Sequence, residues 1–415
     1  MRCGRHICCL PAGLVLALAT GACGGGGSPS DDPGDYQVDT SVSYEVQLSA
    51  PRWVVPSAAL PAQAQAMTAN NNVDIVLFDG RLLMAWRTAQ THFASSNVKM
   101  HVVSSPDMGE SWDHEQTIAI NTDVREPRFL VAKGRLLLYW FEAGSTALAF
   151  DPRRMWRCER LGRGRWSAAQ SVGLPREVPW TIKWRGDRAY ISSYAGNHYD
   201  LQGPGKVDVR FQVSADGLSW GPLEPGRTTV YHGGVSEAAF ELDHQGGLWA
   251  VTRNEDGDDT GFGSHLCSAP AGNLARWSCP RQSDPERYDS PWMFRHGVEI
   301  YLVARRDVGG PFDQGLTGLT FAERKARYLS AYSLRAKRTA LYRVDRAAHR
   351  IVHLRDLPSA GDTAFPSVRR TGTHSFILAN YSSPLDDPDI GWLKAQVSPR
   401  GTGIYLMDLT FVPRR

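Results

Sequence analysis

Six stretches of this chain repeat one plan, and that recurrence limits the fold more than any other feature. Each opens with a polar residue and usually a proline, continues as an alternating run, turns at a glycine and returns as a strongly apolar run. The openings are Asn71-Asn72-Val73, Arg125-Glu126-Pro127, Glu177-Val178-Pro179-Trp180, Ser236-Glu237-Ala238, Asp289-Ser290-Pro291-Trp292 and Ala364-Phe365-Pro366. The turns fall at Gly80, Gly134, Gly186, Gly246, Gly297 and Gly372, and the returns include Leu82-Leu83-Met84-Ala85-Trp86 and Leu136-Leu137-Leu138-Tyr139-Trp140. Short alternating runs between turn signals are strand chemistry, and a unit this small must stack on its neighbours to bury its apolar side. No helical period of comparable strength occurs; Phe321 to Lys337 comes nearest and reads equally well as an insertion or a strand pair. The expectation is an all-β chain folded as a six-bladed β-propeller. The sixth unit lacks an outer strand after Gly403 to Leu409, and Tyr44-Glu45-Val46-Gln47-Leu48 can supply it and close the ring. A five-bladed glycosidase propeller is the alternative.

The connections carry a second signature. Ser105-Pro106-Asp107-Met108-Gly109-Glu110-Ser111-Trp112 lies between two hydrophobic runs, and a shortened copy stands at Ser214-Ala215-Asp216-Gly217-Leu218-Ser219-Trp220. Asp bonds nearby backbone N–H groups, Gly accepts positive φ, and Trp re-enters the core. These segments resemble the Asp-box of the sialidase (neuraminidase) superfamily, in which the box is structural and sits on outer hairpins of a six-bladed propeller. On that resemblance Asp107, Gly109, Trp112, Asp216 and Trp220 are structural, and residues 40–415 form one sialidase-like propeller.

The remaining bounds concern export and charge. Arg2 and Arg5 precede an apolar run from Ile7 to Ala19 and the small residues Thr20-Gly21-Ala22, which is the layout of a signal peptide over residues 1–22. Cys23 resembles the lipidated Cys of a bacterial lipobox, although Thr20 stands where that pattern has Leu, Val or Ile. Residues 23–39 then read as a Gly/Ser-rich tether. The expected location is the outer membrane or cell surface, with a periplasmic or secreted protein as the alternative; the lipid anchor is the only membrane contact expected. Export permits disulfides, and Cys267 with Cys279 is the candidate pair, leaving Cys158 alone. A net charge of +3 gives no reason to expect nucleic acid. No metal-ligand spacing occurs. The acidic run Glu255 to Asp259 lacks EF-hand spacing, so it reads as a solvated turn in which calcium has no support from the spacing, and no cofactor is required. The protein is expected to be a monomer.

In a propeller the opening strands line the axis, so Asn71, Arg125, Glu177, Glu237, Asp289 and Ala364 should share one ring. A second ring would comprise Arg87, Phe141, Tyr194, Arg253, Arg305 and Asn380. Charges so placed must pair with one another or meet a ligand. The resemblance implies that Arg253 and Arg305 (or Arg306) grip a substrate carboxylate and that Glu237 is the catalytic or orienting acid. Asp289 and Glu177 are further catalytic candidates, Arg125 and Glu126 substrate contacts, and Trp180 and Trp292 sugar platforms or, alternatively, packing between blades. Several family features are missing. Asn71-Asn72-Val73 replaces the first-blade R-I-P, the loop Thr91 to Asn97 has no acid–base Asp, and Phe365 stands where the nucleophilic Tyr belongs. Three functions follow: a surface protein that binds an acidic glycan, with or without hydrolysing it, a glycan binder without catalysis, and a protein-interaction scaffold.

Overall fold

The computed structural model describes residues 31–147, 149–197 and 203–414. The expected leader and Cys23 lie outside these residues. Six antiparallel sheets form six blades, which overturns the five-bladed alternative. Blade 1 comprises Ala69–Phe78, Arg81–Ala89, Lys99–Ser105 and Asp113–Ile118. Blade 2 comprises Val124–Ala132, Arg135–Glu142, Arg154–Gly162 and two short outer strands, Arg165–Trp166 and Gln170–Val172. Blade 3 runs through Val178–Arg185, Arg188–Asn197, Lys206–Ser214, Gly221–Pro222 and Thr229–Gly233. Blade 4 has Val235–Leu242, Leu248–Asn254 and Leu266–Ala269, and blade 5 has Asp289–His296, Glu299–Asp307, Lys337–Asp345 and Arg350–Asp356. Blade 6 has Thr363–Arg370, Ser375–Ser382 and Gly403–Pro413. Its outer edge comes from the other end of the chain. Tyr44–Leu48 pairs with Gly403–Pro413 in the register Tyr44 to Pro413 through Leu48 to Leu409, closing the ring.

The first strand of each blade packs on the first strands of its neighbours, so these strands surround the axis. Both of their faces are covered, as are those of the second strands, which explains the unbroken apolar runs such as Leu82 to Trp86. One core cluster joins all six blades, through Ile75, Phe141, Trp180, Ala239, Leu302 and Ile377 among others. Burying each large apolar side chain contributes roughly 1.5–3 kcal/mol, so the ring is held from its centre outward.

The two Asp-centred turns sit on outer hairpins. Asp107 Oδ1 accepts from the backbone N–H groups of Glu110 (3.1 Å) and Ser111 (2.8 Å), and Trp112 packs inward. Asp216 Oδ1 accepts in the same way from Leu218 N at 2.8 Å. The sulfurs of Cys267 and Cys279 are bonded, while Cys158 is a buried free thiol.

Two findings depart from the sequence reading. The ambiguous stretch after Phe321 is a helix, α1 (Phe321–Leu334), capped by Thr320 and Glu323 in a reciprocal capping box. Residues 31–36, placed by sequence in the free tether, dock on the propeller at the C-terminal ends of the first strands. There Asp31 pairs with Arg369 at 3.0 Å, its carbonyl accepts from Arg185 at 3.0 Å, and Arg370 lies 4.6 Å above the Tyr36 ring. Asp31 and Asp32 thereby line a cavity of about 260 Å³ at this far end of the axis.

Candidate active site at the propeller axis

The opposite end of the axis is built from irregular backbone. Every first strand slips register near its start: between Asn71 and Asp74, Arg125 and Arg128, Pro179 and Thr181, Val235 and Ala238, Asp289 and Trp292, and Ala364 and Ser367. At four of these slips a non-glycine residue has positive φ: Asn72 (48°), Glu126 (54°), Ser290 (49°) and Phe365 (49°). An extra residue in one strand re-aims the side chains beside it, and holding this conformation without glycine costs energy. Several polar atoms here are buried without a hydrogen-bond partner: both side-chain heteroatoms of Asn72, Glu126 Oε2, Ser236 Oγ and Ser290 Oγ. Buried polar groups of this kind call for water or a ligand.

Around this ring the charges are tightly engaged. Arg253 reaches Glu237 at 2.6 Å, Glu255 at 2.9 Å and Asp289 at 3.1 Å. Asp289 also receives Arg287 at 2.6 Å, Arg305 at 3.1 Å and the Tyr332 hydroxyl. Burial opposes its charge, but Arg287, Arg253 and Arg305 outweigh that and hold its carboxyl well below the usual range. Tyr332, from α1, and Trp392, from the short helix α2 (Trp392–Gln396), cover Arg305. Burial raises Glu237, with Asp289 and Glu255 adding to the shift and Arg253 opposing it. Burial also raises Glu126, to about 8, despite Arg128.

A second group lies beside the first. Asp123 holds Arg87 at 2.7 Å and Arg125 at 2.6 Å, and Arg125 Nη2 donates to the His92 carbonyl at 3.0 Å. His92 Nδ1 lies 2.7 Å from Asp362 Oδ2, and Asp362 Oδ1 accepts from the Tyr381 hydroxyl at 3.0 Å. Burial lowers the imidazole pKa and Asp362 opposes the shift; the His92 side chain keeps 12% exposure.

The structure thus joins Glu237, Asp289, Arg253 and Arg305 in one ion-pair network, with Arg125 and Glu126 next to it. It does not bring Glu177 there. Glu177 ends just before its strand and turns to Ser193 (2.5 Å), Arg210 (3.3 Å) and the Leu174 N–H (2.7 Å), because the alignment on Pro179 is out of phase with the bulge. Trp180 and Trp292 are not sugar platforms. They are 1% and 3% exposed and pack beneath the site, with Arg128 over Trp180 and Lys183 and Arg369 over Trp292. In the second ring Asn380 is replaced by Tyr381, the residue paired with Ala364; Asn380 points into the blade toward Thr363 and Tyr405. A shift of one residue reverses the face of a strand. Arg306 faces outward to Asp356, which leaves Arg305 as the axial arginine. Three carboxylates of the acidic run have protein partners: Glu255 has Arg253, Asp256 has Lys325 and Asp258 has the Gly234 N–H, while Asp259 is exposed. Among the described residues no cluster of His, Cys, Asp and Glu could hold a metal ion. His92 and Asp362 were not singled out by sequence; a His in the loop expected to carry the acid–base group was the available signal.

No protein-family model and no curated protein sequence matches the chain. Solved structures do. A protein of unknown function from Dyadobacter fermentans superposes with a TM-score of 0.55 at 13% identity, over 88% of this chain and 99% of that one. Trypanosoma rangeli sialidase in complex with sialic acid gives 0.53 at 14% identity, over 89% of this chain and 59% of the sialidase. Phage phi92 endosialidase gives 0.54 at 9% identity, over 90% and 70%. The chain therefore spans about three-fifths of the trypanosomal enzyme's length. These likenesses and the six closed blades define a sialidase-like β-propeller fold.

Proposed function

We propose that the axial face binds carbohydrate and that the propeller is displayed outside the cell by the lipidated Cys23. The observation that carries this reading is the ring of unpartnered polar atoms on Asn72, Glu126, Ser236 and Ser290 around the fixed guanidinium of Arg253. Sugar hydroxyls both donate and accept, which is what those four side chains require. The likeness to a sialidase seen with sialic acid supports a glycan at this face. Asp289 alters the ligand class expected from sequence. Its carboxylate already sits between Arg253 and Arg305, the place a substrate acid would take, so the ligand presents hydroxyls there rather than a carboxylate. The same closure, with Phe365 in place of a Tyr, disfavours the two-step sialidase reaction. Residues 31–36 dock at the far end of the axis, so a tether leading to a membrane would leave the site facing away from it. The test is binding of the purified protein to a glycan array beside Arg253→Ala. Retention of neutral glycans, lost in the variant, supports the reading; no bound glycan sinks it.

A further inference from the structure

We infer that His92 and Glu126 form the base and proton donor of a direct-displacement glycoside hydrolysis at this site, with Asp362 positioning the imidazole. This rests on the carbohydrate reading above. Asp362 is buried and accepts the Tyr381 O–H on Oδ1, so its Oδ2, 2.7 Å from His92 Nδ1, receives the Nδ1 proton. That fixes the tautomer with Nε2 unprotonated, the state a general base needs. Nε2 makes no hydrogen bond within the described protein, and the loop is pinned by the His92 N–H on the Gln396 carbonyl (3.2 Å) and by Arg125 on the His92 carbonyl (3.0 Å). Glu126, the next residue after Arg125, is 4% exposed, and its Oε2 is buried without a partner at the bulge. An acid this dry keeps its proton at neutral pH.

The reaction balances with water as the only co-reactant. A water gives a proton to His92 Nε2 as its oxygen bonds to the anomeric carbon. The glycosidic C–O bond breaks with its electron pair on the leaving oxygen, which takes the Glu126 proton. The products are the inverted sugar and an alcohol. Exchange with solvent returns a proton to Glu126 and removes one from His92. A single displacement forms no glycosyl-enzyme intermediate, so it accommodates Phe365 where the retaining enzymes need a nucleophile.

The charged and titratable groups around each partner set the pH dependence. His92 faces Asp362, Arg125 and Arg87, with Asn71 Nδ2 at 3.3 Å. Glu126 faces Arg128, Glu237, Arg125 and Arg253, with Tyr194 beside it. Activity needs His92 neutral and Glu126 protonated. It therefore rises on an acid limb below the ordinary His value of 6.5 and falls on an alkaline limb near 8.

The experiment measures turnover of methylumbelliferyl and dinitrophenyl glycosides of neutral hexoses, an uronic acid and N-acetylneuraminic acid. His92→Gln is expected to lower kcat at least ~100-fold on both leaving groups. Glu126→Gln is expected to lower it comparably on methylumbelliferyl glycosides but little on dinitrophenyl glycosides, which leave without protonation. Asp362→Asn should slow turnover and move the acid limb to lower pH, which a purely structural role would not do. Should His92→Gln fail to fold, His92→Gly with added imidazole is expected to recover turnover. His92→Gln within threefold of the wild type would overturn the inference. Glycan binding without turnover would overturn it too, leaving the binding reading intact; absence of both would remove the binding reading as well.

Discussion

Asp289→Asn is the sharpest perturbation of the axial network. The carboxylate is fully buried and accepts from Arg287, Arg253, Arg305 and the Tyr332 hydroxyl, and Asn has nearly its shape without its charge. Removing one partner of a buried ionic cluster leaves the others uncompensated, and the typical cost is about 3–5 kcal/mol. The exposed pair Asp208–His232, at 2.8 Å, provides the contrast, since solvated pairs contribute about 0–1 kcal/mol. Equilibrium guanidinium unfolding followed by Trp fluorescence should therefore separate Asp289→Asn from Asp208→Asn by at least ~2 kcal/mol. The difference should shrink in acid. The Asp289 pKa is depressed in the folded protein, so its contribution is present above the unfolded value of 3.8 and is lost as pH falls toward the lower folded value. A second readout follows from the uncovered arginines. N-acetylneuraminate should raise the melting temperature of Asp289→Asn but not of the wild type, because only the variant leaves a guanidinium pair for a foreign carboxylate. Equal stability of the two variants, or stabilisation of the wild type by N-acetylneuraminate, would refute the reasoning.

Two further outcomes are expected. With Glu126 raised from the usual 4.5 to about 8, the folded state holds its proton more tightly, so stability falls as pH rises through that window and levels off above it. At about 1.4 kcal/mol per unit this slope is on the order of 4 kcal/mol between pH 5 and 8, and unfolding curves of Glu126→Gln should lack it; an unchanged slope would contradict the buried acid. Cys158, with its thiol pushed up to about 12 by burial, should react with a thiol reagent only as fast as the protein unfolds. Immediate labelling of the native protein would contradict that burial.

The repeat alone determined the number of blades, the first two strands of each and the closure by Tyr44–Leu48. Those features follow from local alternation and turn chemistry, which a linear chain carries openly. The same holds for the Asp107 and Asp216 turns, in which the hydrogen bonds of the Asp side chains reach no further than four residues. The pairing of Cys267 with Cys279 also lies within one blade's outer edge. What the linear pattern could not carry was the phase of each strand at the axis. A bulge of one residue decides whether Tyr381 or Asn380 faces the site and turns Glu177 away from it, and a bulge leaves no mark in an alternating pattern. Helix α1 escaped for another reason: its buried face is only Lys325, Tyr328 and Tyr332, too narrow for a clear helical period. The partners of Asp289 come from blades 4 and 5 and from α1, and those of His92 from blades 1, 2 and 6 and from α2. Only closure of the ring brings residues so distant in sequence within hydrogen-bond reach, so the tertiary structure decided which charges cancel and which groups are left to act.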